Sequence, residues 1–172
     1  MIRLLAVDDL PRLLDHGERL WAEREVIRSR PFAHGTSYDR GPREERLRTE
    51  WSTPVTDVKW SRCWALVAGD HTVVGHCDLK GGAIASELHR ATLGIGIEAA
   101  HRDRGHGRAL CEAAIAWARD QQLAWIDLGV FGGNARARAL YRKLGFIEVG
   151  TTKDRFRVDG ESIDDISMTL AL

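Results

Sequence analysis

A chain of 172 residues is long enough to fill one hydrophobic core and too short for two comfortable ones. Its 25 Lys and Arg balance 25 Asp and Glu, so no global charge draws it to nucleic acid or to an anionic membrane, and any anion site must be local. Three widely spaced cysteines, Cys63, Cys77 and Cys111, fit neither a disulfide framework nor a C-x-x-C metal clip, which points to a reducing, cytoplasmic setting.

Met1 to Val7 reads as a short strand closed by Asp8-Asp9. These acids and Asp15 stand where a secretory leader would be apolar. Asp9 is a natural cap for a helix that tolerates Pro11 in its first turn, and Leu10, Leu13, Leu14, Leu20 and Trp21 recur at helical spacing up to Ile27. Ser29 to Tyr38 reads as a loop, and Pro42 opens a charged second helix through Glu50. Cys63 to Ala68 and Val73 to Lys80 read as strands around the hairpin signal Gly69-Asp70. Ala91 to Ala99 is a further strand, and Gly105 to Gln122 is a helix with Leu110, Ala113, Ala114, Trp117 and Ala118 on its apolar face. Trp125 to Val130 is apolar enough for a strand buried on both faces. Asn134 to Leu144 is a helix stopped by Gly145, and Phe146 to Val149 and Ile163 to Leu170 are the last strands. The order β-α-α-β-β-β-α-β-α-β-β, without repeat or linker, predicts one α/β domain over residues 1–172 with a mixed sheet. No apolar stretch has the length of a membrane span.

The chemistry concentrates in two segments. In the first, Leu93-Gly94-Ile95-Gly96-Ile97-Glu98-Ala99-Ala100-His101-Arg102-Asp103-Arg104-Gly105-His106-Gly107-Arg108, an apolar strand runs into a basic turn with glycines that opens a helix. A helix start offers free N–H groups and the positive end of its dipole, which attract phosphate. Gly105 and Gly107 allow close backbone approach, and Arg102, Arg104 and Arg108 add charged donors. The P-loop Gly-Lys-Ser/Thr and the third glycine of a dinucleotide fingerprint are absent. A basic turn with glycines for tight packing is the plainer alternative. Arg102-x-x-Gly105-x-Gly107 resembles the Q/R-x-x-G-x-G/A signature of the GNAT acetyltransferase superfamily, and the likeness extends over nearly the whole chain. The resemblance implies that Arg102, Arg104, Gly105, His106, Gly107 and Arg108 hold the pyrophosphate of acetyl-CoA. It implies that Ile95 and Ile97 pair their backbone with the pantetheine arm, with a bulge near Glu98-Ala99.

The second segment, Asn134-Ala135-Arg136-Ala137-Arg138-Ala139-Leu140-Tyr141-Arg142-Lys143-Leu144-Gly145-Phe146, is similar to the family's N-x-x-A-x-x-L-Y-x-x-x-G-F. Asn134 suits a helix cap and also an amide bond to pantetheine, and the two roles are compatible. Tyr141 lies two turns further on the same face. A phenol stays protonated at neutral pH and so suits the acid that protonates a departing thiolate; a ring packed in the core is the alternative. Many family members carry a glutamate early in the fourth strand, where this chain has Ala91, so the base is unassigned. His89 is the catalytic candidate two residues earlier, against a plain surface histidine, with Glu87 and Glu98 as the carboxylate options. His101 and His106 lack partners at metal-ligand spacing, so no metal is expected. Phe32, His34 and Tyr38 fall in a loop that commonly lines the acceptor pocket in the family.

The resemblance implies an N-acetyltransferase that moves acetyl from acetyl-CoA to a primary amine by direct attack, since no cysteine is placed as a nucleophile. The alternative is a non-catalytic acyl-CoA-binding or regulatory domain that keeps the cofactor site. The expected partner is a small-molecule or peptide amine, with no nucleic acid and no membrane. A homodimer through the C-terminal strands is expected, as in many relatives.

Overall fold

A computed structural model of the protein describes residues 1–23, 38–158 and 160–172. Strand β1 (Ile2–Leu4) leads through a short 3₁₀ turn into helix α1 (Leu10–Ala22), and helix α2 spans Arg40–Ser52. Strands β2 (Ser61–Val67), β3 (Val73–Gly81) and β4 (Arg90–Ile97) follow, then helix α3 (His106–Asp120), strand β5 (Trp125–Phe131), helix α4 (Ala135–Lys143), and strands β6 (Ile147–Val158) and β7 (Glu161–Ala171). They build one seven-stranded mixed α/β sheet in the order β1-β2-β3-β4-β5-β7-β6. The expected end of the first helix at Ile27 and most of the expected loop from Ser29 lie outside the described residues.

All strand pairs are antiparallel except β4 and β5. That parallel pair is registered only from Arg90, Ala91 and Thr92 to Trp125, Ile126 and Asp127. Beyond it β4 stays with β3 as far as Ile97, and β5 stays with β7 as far as Phe131. The two strands therefore diverge, and among the described residues the β4 edge from Leu93 to Ile97 has no strand partner on that side. At the closed end Arg90 donates twice to Asp127, at 2.8 and 2.6 Å, and the Thr169 hydroxyl donates to Asp127 Oδ1 at 2.7 Å. This pins β4, β5 and β7 together where the divergence begins.

Period-2 alternation assigns the two faces. On one face Trp64, Cys77, Leu79, Leu93 and Ile126 form the main core with Leu110, Cys111 and Ala114 of α3. On the other, Cys63, Ala65 and Val67 of β2 meet Leu13 and Trp51 of α1 and α2. Several expectations change. Asp9 makes no cap for α1; its carboxylate turns back to accept from Ala6 N–H and from Arg3 and Arg12. Strand β5 is not buried on both faces: Asp127 is half-buried and Gly129 exposed, because α1 and α2 cover β2 and β3 rather than β5. The expected bulge at Glu98-Ala99 is absent, since β4 keeps unbroken register with β3 and then turns into a 3₁₀ turn at Ala99–His101. Strand β6 runs well past Val149, because its bulged outer half is polar on both sides and carries no alternation.

Candidate active site

The divergence of β4 from β5 makes a cleft that ends at the start of α3. Ile95 and Ile97 turn toward the α3 face: a Cβ on Gly107 would stand 3.6 Å from Ile97 Cδ1 and 3.8 Å from Ile95 Cδ1. Gly107 thus leaves the wall between β4 and α3 thin, with Leu140 of α4 next in line at 3.4 Å. Gly105 precedes α3 at φ +80°, a left-handed conformation that glycine adopts without the cost a Cβ brings. It opens a 15-residue helix whose first N–H groups have no partner within the helix.

The arginines of the turn divide by role. Arg102 is held within the turn: its Nε donates to the Ile97 carbonyl at 2.7 Å, Nη2 to Glu23 at 2.9 Å, and its N–H to the Ala99 carbonyl at 3.2 Å. Glu23 also accepts from Ala99 N–H at 2.8 Å. Arg102 and Glu23 therefore brace the turn, and sequence reasoning gave Glu23 no role. Arg108 donates to Glu112 one turn along the helix, at 2.7 Å. Arg104 is exposed, without an ion-pair partner among the described residues, and His106 is half-exposed at the first position of α3.

Asn134 caps α4: its side-chain oxygen accepts from Ala137 N–H at 3.1 Å. That bond uses the oxygen and leaves the amide NH₂ as a donor. Tyr141 is 5% exposed, with its ring 5.8 Å from that of Phe146. Its hydroxyl has no hydrogen-bond partner among the described residues. Burial, with smaller contributions from Cys111 and Cys77, pushes the phenol above its ordinary range and keeps it protonated. All three cysteines are buried free thiols, and burial pushes Cys63 up, against a nucleophile's needs.

The α1 side of the cleft holds a polar cluster. His76 and Asp78 of β3 pair in register with Gly96 and Gly94 of β4 and lean over them. A Cβ on Gly96 would stand 2.6 Å from His76 Cε1, and one on Gly94 would stand 2.6 Å from Asp78 Oδ1. His16 of α1, wholly buried, joins His76 Nδ1 through its Nε2 at 3.0 Å and Glu98 through its Nδ1 at 2.7 Å. Arg19 adds a bond to Glu98 at 3.0 Å. On the other bank Asp165 leans over Gly129, and burial holds its carboxyl above the usual range. Only Glu98 of this group was a candidate from sequence, because the topology joins residues 60 to 82 positions apart. A signal did exist: His-x-Asp in one strand faces Gly-x-Gly in the next.

His89 lies elsewhere. It is exposed in the turn before β4, at the closed end, where its carbonyl accepts from Ala124 and Trp125. Some eight residues of strand, about 25 Å of rise, separate it from Ile97. Glu87 accepts from Ala83 N–H in the same outer turn. Tyr38 packs on Gly17 and donates to the Leu14 carbonyl, whereas Phe32 and His34 lie outside the described residues. Among the described residues no three His, Cys, Asp or Glu side chains could hold a metal ion, and no helix is long and apolar enough to cross a membrane.

A diverging parallel pair that opens onto a helix start, with a cap asparagine and a tyrosine on the next helix, defines a class of acyl-transferring enzymes, and comparison with known proteins agrees. Residues 21–146 match the acetyltransferase (GNAT) family, so the chain belongs to that family and is an acyltransferase. Among solved structures it is similar to a GCN5-related N-acetyltransferase from Kribbella flavida (27% identity, TM-score 0.78, covering 100% of this chain and 97% of that one). A ribosomal-protein-alanine N-acetyltransferase from Brucella melitensis shares the fold at 23% identity and TM-score 0.77, over 100% and 99% of the two chains. A phosphinothricin acetyltransferase from Sinorhizobium meliloti, solved in complex with AcCoA, does so at 16% identity and TM-score 0.84, over 100% and 88%.

Proposed function

We propose that this protein is an N-acetyltransferase that moves an acetyl group from acetyl-CoA to a primary amine by direct attack. The observation that carries the reading is the unpaired β4 edge, Leu93 to Ile97, running straight to the Gly105-led start of α3. A backbone edge without a strand partner suits the amides of a pantetheine arm, and a helix start suits a pyrophosphate. Gly105, His106, Gly107 and Arg108 would supply N–H groups there, Arg104 would supply charge, and Asn134 would lend its free NH₂ to the arm. Arg102 would act indirectly, by holding the turn. Tyr141, protonated and without a competing partner, would give its proton to the leaving sulfur.

The acceptor side also fits an amine. Asp78 and Asp165 border the cleft from opposite banks and favour a cationic group between them. The exposed, distant position of His89 argues against the base role expected of it. A non-catalytic acyl-CoA-binding domain is the weaker reading, because a merely cofactor-holding protein has no use for a phenol kept protonated beside the cleft. The C-terminal edge supports a homodimer: Ile147 and Val149 are exposed on β6, the last strand of the sheet.

The test follows free CoA release from acetyl-CoA over a panel of primary amines, with calorimetry for cofactor binding. Turnover with at least one amine is expected. Cofactor binding without turnover on any amine would favour the regulatory domain, and no binding at millimolar acetyl-CoA would overturn both readings.

A further inference from the structure

The base that sequence reasoning left unassigned is carried by the cluster on the α1 face. We infer that His76 Nε2 takes the proton of the acceptor ammonium, and that His16 and Glu98 receive the resulting charge. The inference rests on the acetyltransferase reading above.

The hydrogen bonds set the direction of the relay. Glu98, a carboxylate held below its ordinary pKa by His16 and Arg19 against the opposing effect of burial, accepts the Nδ1–H of His16 at 2.7 Å. With both rings neutral, His16 Nε2 is then an acceptor, and the 3.0 Å contact requires His76 to supply Nδ1–H. His76 Nε2 is left as a bare lone pair. Its neighbour Asp78 Oδ1 is 3.8 Å away, beyond hydrogen-bond reach and itself an acceptor. Two acceptors side by side call for a donor between them, and an ammonium group supplies three.

A second observation points to the same spot. Among the described residues Asp78 Oδ2 and the Ser61 hydroxyl are buried without a hydrogen-bond partner, although Lys80 Nζ lies 3.1 Å from the carboxylate oxygen, misaligned. Both residues line a cavity of about 80 Å³ that also includes His16, His76, Tyr38 and Arg43. His76 is partly accessible (18% of its side chain) while His16 behind it is sealed, so the relay has one open end.

The proton count balances. An ammonium loses two protons in becoming an amide: one ends on the thiol by way of Tyr141, and the other goes to His76 Nε2. As that bond forms, the Nδ1 proton of His76 passes to His16 Nε2, and the positive charge comes to rest beside Glu98. From there it is lost to solvent, since Glu98 is 13% exposed. Burial pushes charging of the His76 ring itself down to about 3, so the ring is neutral throughout the neutral range. The charged groups around it are Arg19 from α1, Arg43 from α2, Asp78 and Lys80 on its own strand, and Glu98 after β4. Acid and base therefore approach from opposite faces of the sheet, Tyr141 from the α4 side and His76 from the α1 side.

The experiment compares the parent with His76→Asn and Glu98→Gln, using the best amine of the panel. Asparagine keeps a donor near the position of Nδ1 and deletes Nε2. For a basic amine at pH 7, kcat/KM of His76→Asn should fall by about 10²-fold or more, the deficit shrinking as pH rises and solution supplies the neutral amine. Glu98→Gln should lose less, with the same trend. An acceptor already neutral at pH 7, such as an arylhydrazine, should react with parent and variants at similar rates. Equal losses for both acceptors, or no loss for either, would overturn the relay. If His76→Asn fails to fold, Glu98→Gln carries the same comparison. Nitrogen NMR of the parent gives a readout independent of turnover: His76 should be the Nδ1–H tautomer, and an Nε2–H ring would refute the assignment even if no amine is acetylated.

Discussion

Tyr141→Phe separates the acid role from a packing role because the two predict opposite signs. The ring stays, with its 5.8 Å contact to Phe146, and only the oxygen leaves. That oxygen has no hydrogen bond to lose among the described residues, and the ring that carries the packing is unchanged. Stability should therefore hold. Turnover should fall by about 10²–10⁴-fold, equivalent to about 3–5 kcal/mol on the barrier, while acetyl-CoA affinity barely moves. Because burial holds the phenol above its ordinary pKa, the parent should keep its acid at pH 10, where an ordinary phenol is half ionised. The assay measures kcat, cofactor Kd and Tm on the same preparations of parent and variant. Turnover within a few-fold of the parent, or a drop in Tm with turnover preserved, would refute the reasoning.

Three further outcomes follow from the same geometry. Asn134→Asp keeps an oxygen for Ala137 N–H and should leave Tm unchanged while weakening acetyl-CoA several-fold, whereas Asn134→Ala should also lose about 1 kcal/mol of stability; equal affinity in parent and Asn134→Asp would leave the residue a cap alone. Gly105→Ala meets no atom within 4 Å, so its cost is the left-handed backbone, about 1–2 kcal/mol, with cofactor affinity falling more than stability; equal losses in calorimetry and thermal melts would reduce the turn to packing. Asp9 is held at about 2 by the Arg3 hydrogen bonds, against an ordinary 3.8, so its contribution is present above 3.8 and lost as pH falls toward 2. It should amount to about 2 kcal/mol at neutral pH, and denaturant melts of Asp9→Asn across pH 2–7 should converge with the parent only at the acid end.

Element order and the glycine turn that opens α3 are readable in the sequence because each is a local pattern. A strand, a basic glycine turn and an amphipathic helix follow one another within residues 90–120, and Asn134 and Tyr141 sit on one short helix. What was hidden is set by register across strands. Nothing near His76 in the chain says that Gly96 will lie beneath it, or that His16 will reach it from a helix sixty residues earlier. Strand β6 was cut short because Thr151 to Arg155 are all exposed, so neither face has an apolar repeat to mark it. Arg102 was read as a ligand donor because its chain position matched; only the contacts with Ile97 and Glu23 reveal it as a brace.

The short registration of β4 with β5 also has a mechanical side. Four strands, β1 to β4, and three strands, β5 to β7, are continuous ladders, stitched to one another by three residue pairs and the Arg90–Asp127–Thr169 clasp. A molecule lying along the open part of that seam would rest against both half-sheets and act as the missing staple. The protein should be stiffest when loaded, and product departure should be the moment at which the two halves regain their freedom to breathe about the clasp.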